Sequence, residues 1–137
     1  MKLNLASDKS MGDIQAVFSA FFPNLKLAFF SKPHKAYKSS AAKFLIQDKD
    51  ILLSELTNQL VEPKSIFLES TMPVWQLERL FEEECGLHVQ VFRRSGKIWL
   101  ETSKTDDLTL EQQEAKAKSS DNIHNEFGDP IDYREQD

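Results

Sequence analysis

A chain of 137 residues with 40% hydrophobic and 28% charged residues has room for one globular core and little for a second. The formal charge of −5 argues against non-specific nucleic-acid affinity, and the single cysteine, Cys85, excludes an internal disulfide and a cysteine-built metal cluster. MKLNLASDKS at the N-terminus lacks an apolar h-region and no apolar run reaches bilayer length, so a cytoplasmic protein without membrane contact is expected.

In chain order, the elements come in two sets. KLNLAS (Lys2 to Ser7) reads as a strand and returns 63 residues later as SIFLES (Ser65 to Ser70), with Leu5 matching Leu68 and Ser7 matching Ser70. At the same offset, Ile14, Val17, Phe18 and Phe22 match Leu77, Leu80, Phe81 and Cys85, a spacing that puts each set on one helical stripe. Pro23 ends the first helix because proline cannot continue it, and Gly86 ends the second because glycine accepts a left-handed C-terminal position.

Two further strands follow each helix. LKLAFFSK (Leu25 to Lys32) matches LHVQVFRR (Leu87 to Arg94), and KFLIQ (Lys43 to Gln47) matches KIWLE (Lys97 to Glu101), with β-branched and aromatic residues in alternation. Acidic helix starts come next, DKDILLSEL and TDDLTLEQQ, where side-chain oxygens cap free N–H groups. The expected fold is a single α+β domain over 1–114, built from two β-α-β-β-α units at about 2–62 and 65–114. A ferredoxin-like split β-α-β sheet, with helices mainly on one face, suits that order. From 115 to 137 the chain is polar. Residues 1–118 carry 16 Lys/Arg against 16 Asp/Glu, whereas 119–137 carry one Arg against six acids, so an acidic tail with too little apolar content to order itself is expected.

The second hairpin has apolar residues on both faces. With a two-residue turn at Ser95-Gly96, Phe92 pairs with Trp99 and Arg94 with Lys97. Leu87, Val89, Val91, Ile98 and Leu100 then share a helix-covered face, leaving His88, Gln90, Phe92, Arg94, Lys97, Trp99 and Glu101 on the other. The same parity in the first unit turns Lys26, Phe30, Lys32 and Leu45 outward, and Phe67 joins from an outer strand.

Three readings of that second face compete: more core beneath a loop or helix, a self-association or protein-binding surface, and a nucleic-acid surface. Aromatics inside a polar rim have the anatomy of an interface. The expected partner-binding set is Phe30, Phe92 and Trp99 as anchors with Lys32, Arg94 and Lys97 as rim, serving a homo-oligomer or a protein partner. The alternative is an anion or nucleic-acid site at the hairpin tips, using Lys35, Lys38, Arg93, Arg94 and Lys97, with exposed rings as stacking platforms.

An active site is not legible. His34, His88 and His124 have no His or Cys neighbour at metal-ligand spacing, the four glycines are too scattered for a phosphate cradle, and FEEECG and TDD read as a solvated helix face and a helix cap. No catalytic residue, cofactor or metal is assigned, and the expectation is a non-enzymatic protein.

The run LHVQVFRRSGKIWLETSKTDDLTLEQQ, with IQAVFSAFFPNLKLAFF upstream, resembles an uncharacterised family of small bacterial proteins. That resemblance implies a bacterial cytoplasmic protein and carries no activity, cofactor or site residue.

Overall fold

A computed structural model describes residues 1–33, 42–120 and 133–135. Over these residues the chain is a mixed α+β structure of four helices and two sheets, β1 (Lys2–Leu5), α1 (Met11–Phe21), β2 (Leu25–Phe30), α2 (Leu53–Leu56), β3 (Lys64–Phe67), α3 (Val74–Cys85), β4 (His88–Ser95), β5 (Ile98–Glu101) and α4 (Leu110–Ser120), with a short strand β6 (Tyr133–Glu135). No helix among the described residues is long and apolar enough to cross a membrane.

Strand pairing is mainly between the two halves of the chain. β1 pairs antiparallel with β3, Leu3 opposite Ile66, in a two-stranded sheet. β2 pairs antiparallel with β4, Ala28 opposite Gln90, and β4 with β5; β6 lies parallel to β5 beyond them. A ferredoxin-like sheet would interleave all these strands in one layer. Here the outer strands separate as a ribbon instead, burying Leu3, Leu5 and Ile66 and turning Lys2, Asn4, Ser65 and Phe67 outward.

Local chemistry accounts for the helix ends. Ser10 caps α1 reciprocally with Asp13, each side chain accepting from the other's backbone N–H. α1 ends at Phe21, two residues before Pro23. α3 ends on Gly86 at φ +68°, with Leu87 N donating back to Phe81 O (3.2 Å), so glycine supplies the left-handed position. From the first stripe Ile14, Phe18 and Phe22 are buried while Val17 lies at the exposed margin; from the second Leu77, Phe81 and Cys85 are buried and Leu80 is partly so.

The starts of α1 and α3 are tied down in the same way. Met11 N donates to Ile51 O (2.8 Å) and Gly12 N to Lys49 O (2.9 Å), while Val74 N donates to Leu108 O (3.0 Å) and Trp75 N to Asp106 O (3.0 Å). Return bonds close each loop, from Leu53 N to Lys9 O (2.9 Å) and from Leu110 N to Met72 O (3.1 Å).

Three local features differ from the sequence reading. KFLIQ makes a 3-10 turn over Ala42–Phe44 and a single bridge from Leu45 to Phe30 rather than a full strand. DKDILLSEL yields one helical turn, α2, because Thr57 is extended and its N–H closes on Leu53 O. α4 runs through the 114/115 boundary to Ser120, with Ala117 fully buried. Residues 121–132 and 136–137 of the expected tail lie outside the described residues.

The main core lies on the face of β2 and β4 that carries Leu25, Leu27, Phe29, Val89 and Val91, under α1 and α3, with Leu87 just before β4 and Leu110 of α4 joining it. A smaller cluster, Ala28, Phe30 and Phe92, occupies the opposite face of the same strands.

Candidate functional site

Strand alternation builds the second face as the sequence implies, although the hairpin turns one residue later. Ser95 pairs with Ile98, Arg94 with Trp99 and Phe92 with Glu101, so Gly96 and Lys97 form the tip. Gly96 takes φ +61°, the left-handed geometry that a two-residue hairpin turn demands. Moving both turn positions by one shifts each pairing by two, and a period of two returns every side chain to its expected face.

What the face exposes is narrower than the sequence suggests. Phe92 is 2% and Phe30 4% exposed, and Phe44, Leu45 and Trp99 pack against them, each half-buried. The connection after β2 thus covers part of the sheet: Ser31 N donates to Phe44 O (2.9 Å) and Ile46 N to Phe29 O (2.9 Å), laying Phe44 and Leu45 over the strand. Phe67 is 66% exposed but belongs to the β1–β3 ribbon, with Lys2 Nζ 5.9 Å from its ring, and so stands apart from this cluster.

Lysines surround the remaining aromatic surface. Lys32 and Lys43 hold their ammonium groups 5.3 and 5.1 Å from the Phe44 ring centre, and Lys26 lies 5.9 Å from that of Trp99. These are cation–π distances, at which charge and ring attract while the lysine stems shield apolar area. Exposed Arg94 stands directly opposite Trp99 across the hairpin, and Lys97 projects from the tip.

Arg93 does not share this surface. It is 3% exposed on the helix-covered face, where Nη1 donates to Gln113 Oε1 of α4 (2.8 Å), and Gln113 Nε2 is in turn held by Thr105 O (2.9 Å). The alternative anion set therefore keeps Arg94 and Lys97, while Lys35 and Lys38 lie outside the described residues. The expected partner-binding set left out Lys26 and Lys43, although the strand parity already turned Lys26 outward, and Phe44 was not singled out. Phe44 faces the sheet only because its segment is a 3-10 turn and not a strand.

Among the described residues no three His, Cys, Asp or Glu side chains gather to hold a metal ion. Cys85 is buried at the end of α3, and burial pushes its thiol from 9.0 up to about 11, against the pull of Lys64 and with a further push from Glu84. Such a thiol is protonated at neutral pH and a poor nucleophile. His88 at the start of β4 sets Nδ1 3.1 Å from Glu82 Oε1, a pairing of neighbouring elements on a half-buried surface. Comparison with protein families, with curated proteins and with solved structures returned no match.

Proposed function

We propose that this is a non-enzymatic binding or assembly protein that meets a second copy or a protein partner through the second face of the larger sheet. Trp99 and Phe44 are the accessible anchors, Lys26, Lys32, Lys43 and Arg94 the rim, and Phe30 and Phe92 the buried support that holds the anchors in place. The observation that carries this reading is the set of three lysines standing within cation–π distance of two half-buried rings. An aromatic centre with a basic rim suits a partner surface that is apolar within and acidic around.

Light scattering after size-exclusion chromatography on the wild type and on Trp99→Ser/Lys32→Glu tests it. A wild-type dimer that becomes a folded monomer in the variant supports self-association. A wild type that stays monomeric at millimolar concentration removes the self-association arm. A benzophenone side chain placed at position 99 that then crosslinks no protein in the native host removes the other.

A second reading, anion or nucleic-acid binding at the hairpin tip, is favoured by one observation: Arg94 and Lys97 are both exposed beside Trp99. Binding of single-stranded DNA that weakens steeply with salt would favour it over a protein interface.

The chain is also proposed to be an internal duplication of one β-α-β-β-α unit. The backbone bonds at the starts of the long helices support this. Met11 to Ile51, Gly12 to Lys49 and Leu53 to Lys9 fall on Val74 to Leu108, Trp75 to Asp106 and Leu110 to Met72 when the helix starts shift by 63 residues and the following segments by 57. The sheet registers agree, since Leu3 faces Ile66 and Ala28 faces Gln90, each residue opposite its own counterpart as a two-fold relation between halves requires.

A further inference from the structure

The two edges of the larger sheet are finished differently. At β2 the edge is met by the segment that follows it: Leu45 bridges Phe30, Ile46 N donates to Phe29 O (2.9 Å), and Phe44 and Leu45 pack onto the buried cluster of Phe30 and Phe92. That cover is part of the packed domain. At β5 the cover is β6, which runs parallel to the strand with Tyr133 opposite Trp99, Arg134 opposite Leu100 and Glu135 opposite Glu101. Residues 121–132 connect it to the end of α4 at Ser120.

β6 has the properties of a bound segment. Three residue pairs make a short ladder, and it is parallel, the slightly weaker pairing, whereas the other ladders among the described strands are antiparallel. Its last pair sets two carboxylates, Glu101 and Glu135, at one register position, which opposes the pairing. The stretch 119–137 around it carries six acids against one Arg and too little apolar content to hold itself in place. The edge beneath is a ready acceptor, because Ile98, Trp99 and Leu100 bring no proline and no charge to discourage a strand. Basic groups stand around it, with Arg94 opposite Trp99, Lys97 at the hairpin tip and the Lys26 ammonium 5.9 Å from the Trp99 ring, so an acidic strand is the one it attracts. We propose that the outer edge of β5 is a strand-acceptor site for this protein's own acidic segment 129–137, filled in cis by Tyr133–Glu135 and open by exchange to the same segment of a second copy. Strand addition is read through backbone bonds, so this site does not depend on the aromatic sheet face.

A synthetic peptide of residues 129–137 stands for the second copy's segment. The full chain carrying Arg134→Pro/Glu135→Pro supplies the empty edge, because proline at two successive positions removes the N–H that faces β5 whichever of the two donates. Circular dichroism should show this variant folded, and heteronuclear NMR should show the peptide saturating it one to one with shifts centred on Ile98–Glu101. Binding to the wild type should be at least tenfold weaker, since its own segment competes at an effective concentration of about millimolar. A peptide with the same two prolines should not bind. Trp99→Ser added to the variant should retain the peptide, which separates this site from the sheet-face interface. An unfolded variant would make β6 part of the core and overturn the assignment. So would a folded variant that the peptide fails to saturate at millimolar concentration, shifts that centre elsewhere, a wild type that binds as tightly, a proline peptide that binds equally, or loss of the peptide with Trp99→Ser.

Discussion

Arg93 and Arg94 are adjacent in the chain and end on opposite sides of β4: Arg93 is buried against Gln113 of α4, and Arg94 is exposed opposite Trp99. Two residues of identical charge are therefore expected to respond to mutation in different currencies. Arg93→Ala leaves a buried amide without its charged donor and opens space beneath α4, at a cost of about 2–3 kcal/mol. Arg94→Ala should stay within about 0.5 kcal/mol in stability. Urea unfolding of the two variants measures the difference, and equal losses would mean that the strand does not separate the two side chains.

Phe92 and Trp99 lie on the same face with different burial. Truncating fully buried Phe92 to Ala should cost about 3–4 kcal/mol through lost transfer energy and a cavity. Trp99→Ala should cost less, about 1–2 kcal/mol, because part of its ring already meets water. Thermal denaturation of both variants checks the order. A Trp99 variant as damaged as the Phe92 variant would make Trp99 core and take it out of the proposed interface.

At Gly86 two penalties coincide. A side chain there would be held at φ +68°, and its Cβ would lie 2.6 Å from Gln59 Nε2 and 2.8 Å from Thr57 Oγ1. Gly86→Ala should destabilise by about 1–2 kcal/mol. The Gln59 contact is with the end of a flexible side chain, so Gln59→Ala in the same background should recover only a part. Full recovery would show that the clash, and not the backbone angle, sets the cost.

The Cys85 thiol gives a pH dependence with a defined sign. Its folded pKa is raised from 9.0 to about 11, so between these values the unfolded chain ionises the thiol while the folded chain does not. The unfolded state then binds fewer protons, and this contribution to stability is intact below pH 9 and lost as pH rises toward 11. Cys85→Ala should show a shallower fall in chemical-denaturation midpoint over that window than the wild type. Parallel curves would place the thiol in contact with water.

The faces of the hairpin were legible before the fold, and its turn was not. Parity along His88–Ser95 follows from a period of two and survives the displacement of the tip to Gly96 and Lys97, so Phe92 and Trp99 share a face under either pairing. Nothing in that period says what lies above the face. The burial of Phe30 and Phe92 depends on the turn at Ala42–Phe44, where KFLIQ has the alternation of a strand but meets β2 and the residue after it through the bonds of Ser31 N to Phe44 O and Ile46 N to Phe29 O and one bridge, Leu45 to Phe30. α2 is short for a related reason: DKDILLSEL has a helix start and an apolar stripe, but Thr57 departs after one turn, and its hydroxyl bonds to Cys85 O (2.6 Å) instead. Tertiary partners outweighed local propensity at both places. Arg93 was misplaced among the surface cations because a basic tip reads as solvated, although its odd position puts it with Val91.

The partnering of the strands bears on how the chain folds. Of the antiparallel ladders among the described residues, β1–β3 and β2–β4 each join one half of the chain to the other, and β4–β5 lies within one half. On the ribosome, then, Lys2–Leu5 and Leu25–Phe30 must wait for Lys64–Phe67 and His88–Ser95 to emerge before either has its ladder, and loop-closure entropy is met before any long-range contact repays it. Folding should be slow for a domain this small. A chain cut in the polar stretch near Glu62 should give two fragments that remain largely unstructured apart and regain the sheet signature in circular dichroism when mixed.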